Sequence, residues 1–177
     1  PAEERHTEAW RRLDRETWRA MERLYEQGVL RAIGVSNFMP HHLLSLFATA
    51  NIRPMVNELE FHPGYTQDYA VDFCQRNDIV IEGWSPIGRG KLLKLPLLQE
   101  MSVRYGKSPA QICIRFALQR NVLPLPKSTT RERMLENLDV FDFKLSEDDI
   151  SRLATLPQAG WSGKHPDFER WAPELET

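Results

Sequence analysis

Apolar positions along this chain follow two spacings that alternate. Four short apolar runs predict strands at residues 31–35, 55–61, 79–84 and 122–125. The longer stretches repeat apolar residues every three or four positions, which is the spacing of an amphipathic helix. Because each interval between two strands is long enough for a helix, the pattern predicts parallel strands joined by right-handed crossovers.

Local signals place the helix ends. Asp14 and Ser146 are suited to cap the amino-terminal ends of helices. Ser108 and Thr129 each begin a capping box, because Gln or Glu follows three residues later. Seven helices are predicted, at residues 14–27, 40–50, 66–76, 97–105, 109–120, 129–138 and 146–156.

The first strand and the third helix carry the clearest burial predictions. Ala32, Ile33 and Val35 are small or apolar, so their strand should be buried on both faces, as in a parallel sheet. In the helix that begins near residue 66, Tyr69 and Ala70 should turn toward the core.

The 177 residues suit a single domain. Its strands and helices should span residues 13–156, and residues 157–177 should form an irregular tail. The tail is expected to pack through Trp161, Phe168 and Trp171. Four parallel strands could form an open sheet with helices on both faces, or half of a closed barrel that needs eight strands.

Composition excludes several classes of protein. The hydrophobic fraction of 41% and the charged fraction of 27% are typical of soluble globular proteins. A net charge of −2 argues against nucleic-acid binding. No apolar run approaches the length of a membrane span, and no signal peptide is visible. Cys74 and Cys113 fit buried free thiols, so we expect a cytoplasmic protein without a metal site.

Residues able to bind a ligand lie at the carboxyl end of every predicted strand. In parallel α/β proteins, the carboxyl ends of the strands form the edge where ligands bind. Trp84 could support a flat ring, and Lys127 with Ser128 before a helix could hold a phosphate. The pair Ser36 and Asn37 could also be an ordinary turn.

Five sequence motifs follow one another along the chain. They are Gly-Val-Ser-Asn-Phe at 34–38, Val-Asn-Glu-Leu-Glu-Phe-His-Pro at 56–63, Trp-Ser-Pro-Ile-Gly-Arg-Gly at 84–90, Gly-Lys-Ser-Pro-Ala-Gln at 106–111, and Pro-Lys-Ser at 126–128 followed by Arg133, Glu136 and Asn137. Together they resemble the aldo-keto reductase family, and the resemblance covers nearly the whole chain from Glu16 onward.

The resemblance implies a (β/α)8 TIM barrel that binds NADPH across the carboxyl ends of its strands and reduces aldehydes or ketones. Ser36 and Asn37 should bind the nicotinamide carboxamide, and Trp84 should stack on the nicotinamide ring. Further contacts are implied for Ser85, Ile87 and Arg89 along the pyrophosphate, for Lys127, Ser128, Thr129 and Arg133 around the 2′-phosphate and adenine ribose, and for Glu136 and Asn137 at the adenine.

Two departures from the family pattern matter. Glu58 stands where the family has a glutamine that contacts the carboxamide, so the acceptor is kept and the amide donor is lost. The family's catalytic aspartate, tyrosine, lysine and histidine come from the first half of the barrel, and nothing in residues 1–30 matches them. No catalytic residue is therefore assigned.

The sequence thus predicts the carboxyl-terminal half of an aldo-keto reductase, with four parallel strands, crossover helices and an irregular tail. This half should supply most of the cofactor site and be inactive alone. The missing amino-terminal half should complete a monomeric parent protein that acts on a small carbonyl compound. Two alternatives stay open: a cofactor-binding subunit or sensor without turnover, and another phosphate-binding barrel such as a sugar-phosphate enzyme.

Overall fold

The structure is a computed structural model that describes the backbone of residues 2–167 and the side chains of residues 10–167. Strands and helices alternate through most of it. In chain order the elements are α1 (Ala2–Glu26), β1 (Gly34–Ser36), α2 (Pro40–Phe47), β2 (Val56–Glu60), α3 (Asp68–Arg76), β3 (Val80–Trp84), a 3-10 segment (Gly88–Lys94), α4 (Pro96–Tyr105), α5 (Pro109–Gln119), β4 (Val122–Leu125), α6 (Arg131–Leu138) and α7 (Glu147–Ala154).

The four strands form one sheet in the order β1-β2-β3-β4, and neighbouring strands are parallel, as predicted. The register pairs Ser36 with Glu58, and Glu60 with Trp84. Trp84 in turn pairs with Leu125 of β4. The residues that follow each strand are therefore brought to one edge of the sheet.

Only one face of the sheet is buried by helices in the described part of the chain. Ile81 is 1% exposed on that face. On the opposite face Val80, Leu123 and Leu125 are 46%, 49% and 42% exposed. An open sheet with helices on both faces is therefore wrong for the described residues, and this inner face remains available to other chain segments.

The core between the sheet and the helices is closely packed. The rings of Phe61 and Phe116 stack with centroids 5.7 Å apart, and both side chains are fully buried. At Gly83 a Cβ atom would lie 2.8 Å from Val122 Cγ1, so the absence of a side chain lets β3 and its neighbour pack at this distance. This rigid core supports the strand ends.

A smaller cluster fastens α1 beside β1. Trp18, Ile33 and Leu46 are buried together. The indole Nε1 of Trp18 donates to the carbonyl oxygen of Ile52 at 2.9 Å, and a carboxylate oxygen of buried Glu22 accepts the Ile52 N–H at 2.8 Å. Both hydrogen bonds join α1 to the loop before β2.

Two predicted caps are confirmed and two are wrong. Ser108 forms a reciprocal capping box with Gln111 at α5, and the Ser146 side chain accepts the Asp149 N–H at α7. Asp14 caps nothing, because α1 begins twelve residues earlier, at Ala2. The box predicted at Thr129 does not form, since Thr130 is the N-cap of α6 and no side chain caps it.

Tertiary context overturns two burial predictions. Ala32 is exposed, because β1 begins two residues later and the strand has only three residues. Tyr69 is 73% exposed, because α3 begins at Asp68 and the side chain lies on its outer surface, whereas Ala70 is buried as predicted. Cys74 and Cys113 are buried free thiols, as predicted.

Candidate functional site

The end of β1 forms a compact hydrogen-bonded turn. Asn37 takes the left-handed backbone conformation, with φ of 58°. Its N–H donates to the Glu58 carbonyl oxygen at 2.8 Å, and its side-chain Nδ2 donates to Ser36 Oγ at 3.0 Å. Ser36 Oγ donates to the same Glu58 carbonyl at 3.3 Å. Both side chains are exposed at the edge of the sheet.

Trp84 joins this turn from the far side of β2. Its indole Nε1 donates to Asn37 Oδ1 at 3.1 Å, and the ring remains partly exposed. The guanidinium carbon of Arg89 lies 6.0 Å from the ring centroid. The structure thus brings together Asn37, Trp84 and Arg89, which the family resemblance predicts to bind one ligand. The hydrogen bond to Asn37 holds the plane of the Trp84 indole.

Glu58 lies on the open inner face of the sheet. Its register partners are Ser36 on β1 and Glu82 on β3. Asn57 points the other way, where its Nδ2 donates to the Phe38 carbonyl oxygen at 2.8 Å. The Glu58 carboxylate is therefore presented beside the Ser36 and Asn37 turn and away from the helices.

Two tight turns shape the loop after β3. The Gly88 N–H donates to the Ser85 carbonyl oxygen at 2.8 Å, and the Gly90 N–H donates to the Ile87 carbonyl oxygen at 2.9 Å. Ser85 and Arg89 both have positive φ, at 53° and 54°. These left-handed residues direct the loop over the edge of the sheet, with Ile87 partly buried and Arg89 exposed.

A cationic turn follows β4. Lys127, Thr129 and Arg133 are exposed, and neither Lys127 nor Arg133 forms a salt bridge with another described residue. Ser128 Oγ accepts the Thr130 N–H at 3.3 Å. Since no side chain caps α6, the turn and the first amides of that helix suit an anion.

Glu136 and Asn137 lie one to two turns farther along α6, and both are partly buried. The Glu136 carbonyl oxygen accepts a hydrogen bond from Gln111 Nε2 at 3.1 Å, which ties α6 to α5. Asn137 borders an apolar cavity of about 430 Å³ between α5, β4 and α6. The structure thus places Asn137, but not Glu136, at the border of this cavity.

The sequence did not single out Glu60, which the structure places next to Trp84. Glu60 is only 2% exposed, and its carboxylate accepts the Ser162 N–H at 2.9 Å and the Ser162 hydroxyl at 2.7 Å. Trp161, predicted to pack through its ring, stacks on Tyr65 with centroids 5.8 Å apart. Phe168 and Trp171 lie outside the described residues. The signal available for Glu60 was its position two residues after Glu58, on the same strand face.

Tyr65 is electrostatically coupled to Glu60. Burial raises the pKa of its phenol, the negative charge of Glu60 raises it further, and the Trp161 hydrogen bond lowers it in part. The phenol is therefore neutral at physiological pH and presents its ring to Trp161 as an uncharged surface.

A model of the Aldo/keto reductase family matches residues 4–157. The chain belongs to this family. Two Bacillus subtilis (strain 168) relatives, the oxidoreductase YtbE and glyoxal reductase, are 46% and 44% identical to this chain over 153 residues. Each alignment covers 86% of this chain and 55% of the relative, so the chain spans about half the length of these relatives.

A solved structure agrees in fold. A mutant form of Gox0644 in complex with NADPH is 34% identical and superposes with a TM-score of 0.82, covering 88% of this chain and 58% of the other. The four parallel strands and their helices therefore make up about half of an aldo-keto reductase (β/α)8 barrel, as predicted. Within the described part, no helix is both long and apolar enough to span a membrane.

Proposed function

We propose that this chain is the cofactor-binding part of a longer parent protein that reduces aldehydes or ketones to alcohols with NADPH. The hydrogen bond from Trp84 to Asn37 carries the proposal, because it holds a partly exposed indole plane next to amide and hydroxyl groups. When bound, NADPH would supply the hydride. The polar groups of Ser36 and Asn37 would hold the carboxamide, and Trp84 would support the ring.

The rest of the site fits an extended dinucleotide. The turns at Ser85, Ile87 and Arg89 would follow the pyrophosphate. Lys127 and Arg133, with Ser128 and Thr129, would bind the 2′-phosphate, since a phosphate dianion is best held by cations and amide donors. Glu136 and Asn137 would contact the adenine, with Asn137 at the border of the apolar cavity.

Reduction of a carbonyl also needs a proton donor, and we assign that role to no residue of this chain. We place the proton donor in the amino-terminal half of the parent barrel. The 177-residue chain alone is then expected to be inactive. The two buried thiols fit a reducing compartment, and we extend the proposal to the cytoplasm.

The substrate class follows from the site and from one relative. The 44% identity to glyoxal reductase favours a small carbonyl compound. The substrate would lie above Trp84, framed by the loop near residues 89–95 and by the tail at Trp161. Trp161, whose ring stacks on Tyr65, would form the outer part of this frame.

The test uses the parent protein and a small dialdehyde. NADPH fluorescence reports binding, and loss of NADPH absorbance after the dialdehyde is added reports turnover. Binding with turnover supports the proposal. Binding without turnover of any aldehyde or ketone favours a sensor, and failure to bind NADPH favours another phosphate-binding barrel; either result overturns the proposed reductase.

A further inference from the structure

The segment from Pro157 to Asp167, here called the closing segment, crosses the carboxyl ends of β2 and β3. At Gly160 a Cβ atom would lie 2.9 Å from His62 Cε1 and 3.1 Å from Gly88 Cα. A side chain at this position would therefore push the closing segment off the loops that follow both strands. The close approach shows that the segment is packed on the site and does not merely pass near it.

Glu60 fastens the middle of the closing segment. Both of its carboxylate oxygens are used, one by the Ser162 N–H and one by the Ser162 hydroxyl. A carboxylate that is 2% exposed is costly to bury without such partners, and hydrogen bonds to a charged acceptor are the stronger kind. Ser162 is 102 residues from Glu60 in sequence, so this contact fixes the path of the tail relative to β2.

Asp167 fastens the end of the segment to the start of α2. One of its carboxylate oxygens lies 3.0 Å from His41 Nε2 and 3.4 Å from His42 Nε2. The Met39 N–H donates to His42 Nδ1 at 3.0 Å, so a neutral His42 carries its proton on Nε2, the ring atom nearest to Asp167. The contacts of Asp167 with His41 and His42 therefore hold the end of the closing segment against the start of α2.

Trp161 immediately precedes Ser162, the residue that Glu60 holds. Its ring stacks on Tyr65 at an interplanar angle of 28°, and its Nε1 donates to the Lys164 carbonyl oxygen at 3.1 Å. The residue next to Trp161 is held by Glu60, and Glu60 is the register partner of Trp84. Trp161 and Trp84 therefore lie at the same end of the sheet, the first next to a residue that Glu60 holds and the second beside Glu60 in register.

We propose that Glu60 is a positioning residue that holds Ser162 and thereby sets Trp161 as a wall of the carbonyl-substrate pocket. This proposal rests on the proposed reductase function. The class of substrate affected is aldehydes with a ring or long apolar group, because these would reach the Trp161 and Tyr65 surface. A small dialdehyde would not reach it.

The test compares Ser162→Ala, Ser162→Thr and Trp161→Ala in the parent protein, with Ser151→Ala as the matched control. Ser151 also loses a hydroxyl hydrogen bond in that control, but it lies on the exposed side of α7. We expect Ser162→Ala to raise KM for an aromatic aldehyde about tenfold with kcat nearly unchanged, as for loss of one hydrogen bond to a charged group. Ser162→Thr should keep the wild-type KM.

Three further readouts separate positioning from general destabilisation. KM for the small dialdehyde and the Kd for NADPH should stay within about twofold of wild type, because uniform damage would move both. The double variant Ser162→Ala with Trp161→Ala should be no worse than Trp161→Ala alone, since both changes act through the same ring. Additive effects, or an unchanged aromatic-aldehyde KM in Ser162→Ala, would overturn the proposal.

A readout without turnover keeps this test distinct from the test of function. Lys164 follows Ser162 in the closing segment and is exposed. Release of the segment should speed tryptic cleavage at Lys164 several-fold in Ser162→Ala and not in Ser151→Ala. If wild-type parent protein reduces no aldehyde, the proposed function fails, whereas equal cleavage rates contradict the role of Glu60 and Ser162.

Discussion

Trp84 Nε1 and Asn37 Oδ1 are joined by a 3.1 Å hydrogen bond between residues 47 positions apart in sequence. Trp84 is the last residue of β3, Asn37 directly follows β1, and β2 lies between these strands. The bond therefore spans the sheet edge and fixes an aromatic plane to a hydrogen-bonding turn before any ligand arrives. Such preorganisation favours binding because less side-chain freedom is lost when the ligand binds.

Replacing Glu58 with Gln should change the preference between the two redox states of the cofactor. A carboxylate near the nicotinamide favours the cationic, oxidised form, so Glu58→Gln should shift the ratio of affinities about three- to tenfold toward NADPH. Titration of the parent protein with NADPH and with NADP+ measures the ratio. Glu82→Gln is the matched control, because Glu82 is the register partner of Glu58 on β3. An unchanged affinity ratio, or the same shift in Glu82→Gln, would contradict this role of the Glu58 charge.

Removing the charge of Lys127 should weaken NADPH binding selectively. Loss of a hydrogen bond from a cation to phosphate corresponds to roughly a ten- to hundredfold increase in the Kd of Lys127→Met for NADPH. Binding of NADH, which lacks the 2′-phosphate, should change little. Lys144→Met is the control, since Lys144 is exposed and pairs only loosely with Glu147, at 3.9 Å. Equal losses for NADPH and NADH would show that Lys127 does not contact the 2′-phosphate.

Asp149 should make stability depend on pH in the acid range. Burial alone would raise the pKa of this carboxyl, but hydrogen bonds from Tyr105, Ser146 and Arg104 outweigh burial, and the pKa is lowered from 3.8. Because the folded-state pKa lies below the unfolded-state value, the stabilisation is present above that value and is lost as pH falls through the folded-state pKa.

The Asp149→Asn variant tests whether Asp149 causes this pH dependence of stability. It should lose about 2 kcal/mol of unfolding free energy at neutral pH, because hydrogen-bond donors are left without their charged acceptor. Its stability should also fall less steeply than wild type below about pH 4. Denaturant unfolding of the parent protein at several pH values measures both quantities. Parallel pH profiles for the two proteins would contradict the assignment to Asp149.

The 177-residue chain alone should self-associate. β1 and β4 are the outer strands of the sheet, and Leu125 on the inner face is 42% exposed. Leu125→Lys should shift the chain toward monomer in sedimentation velocity, whereas Leu44→Lys, on the outer surface of α2, should not. A wild-type chain that stays monomeric at micromolar concentration would mean that the sheet edges are protected in some other way.

Features set by neighbouring residues could be read from the sequence. The capping box of Ser108 and the short apolar runs of the strands depend on local chemistry, and the structure contains the capping box and all four strands. The burial of Ala32 and Tyr69 was mispredicted because it depends on where β1 and α3 begin and on what packs against them. Apolar character alone does not contain that information.

Part of the candidate site could likewise be predicted from the sequence, and part could not. Ser36, Asn37 and Trp84 were found because each lies at the carboxyl end of a strand, and parallel strands bring these ends together. The bond of Ser162 to Glu60 could not be found, because it depends on the path of an irregular tail across 102 residues. No periodic pattern in the sequence encodes such a path.

The most direct test of the account is NADPH binding by the parent protein with and without the Trp84 ring. Trp84→Ala removes the stacking surface and should raise the Kd for NADPH about tenfold or more, as for loss of a base–aromatic stack. Trp84→Phe keeps a ring and loses only the bond to Asn37, so its Kd should rise a few-fold. NADPH fluorescence measures both variants. Tight binding by wild type that weakens in this order supports the account, and an unchanged Kd in Trp84→Ala would contradict it.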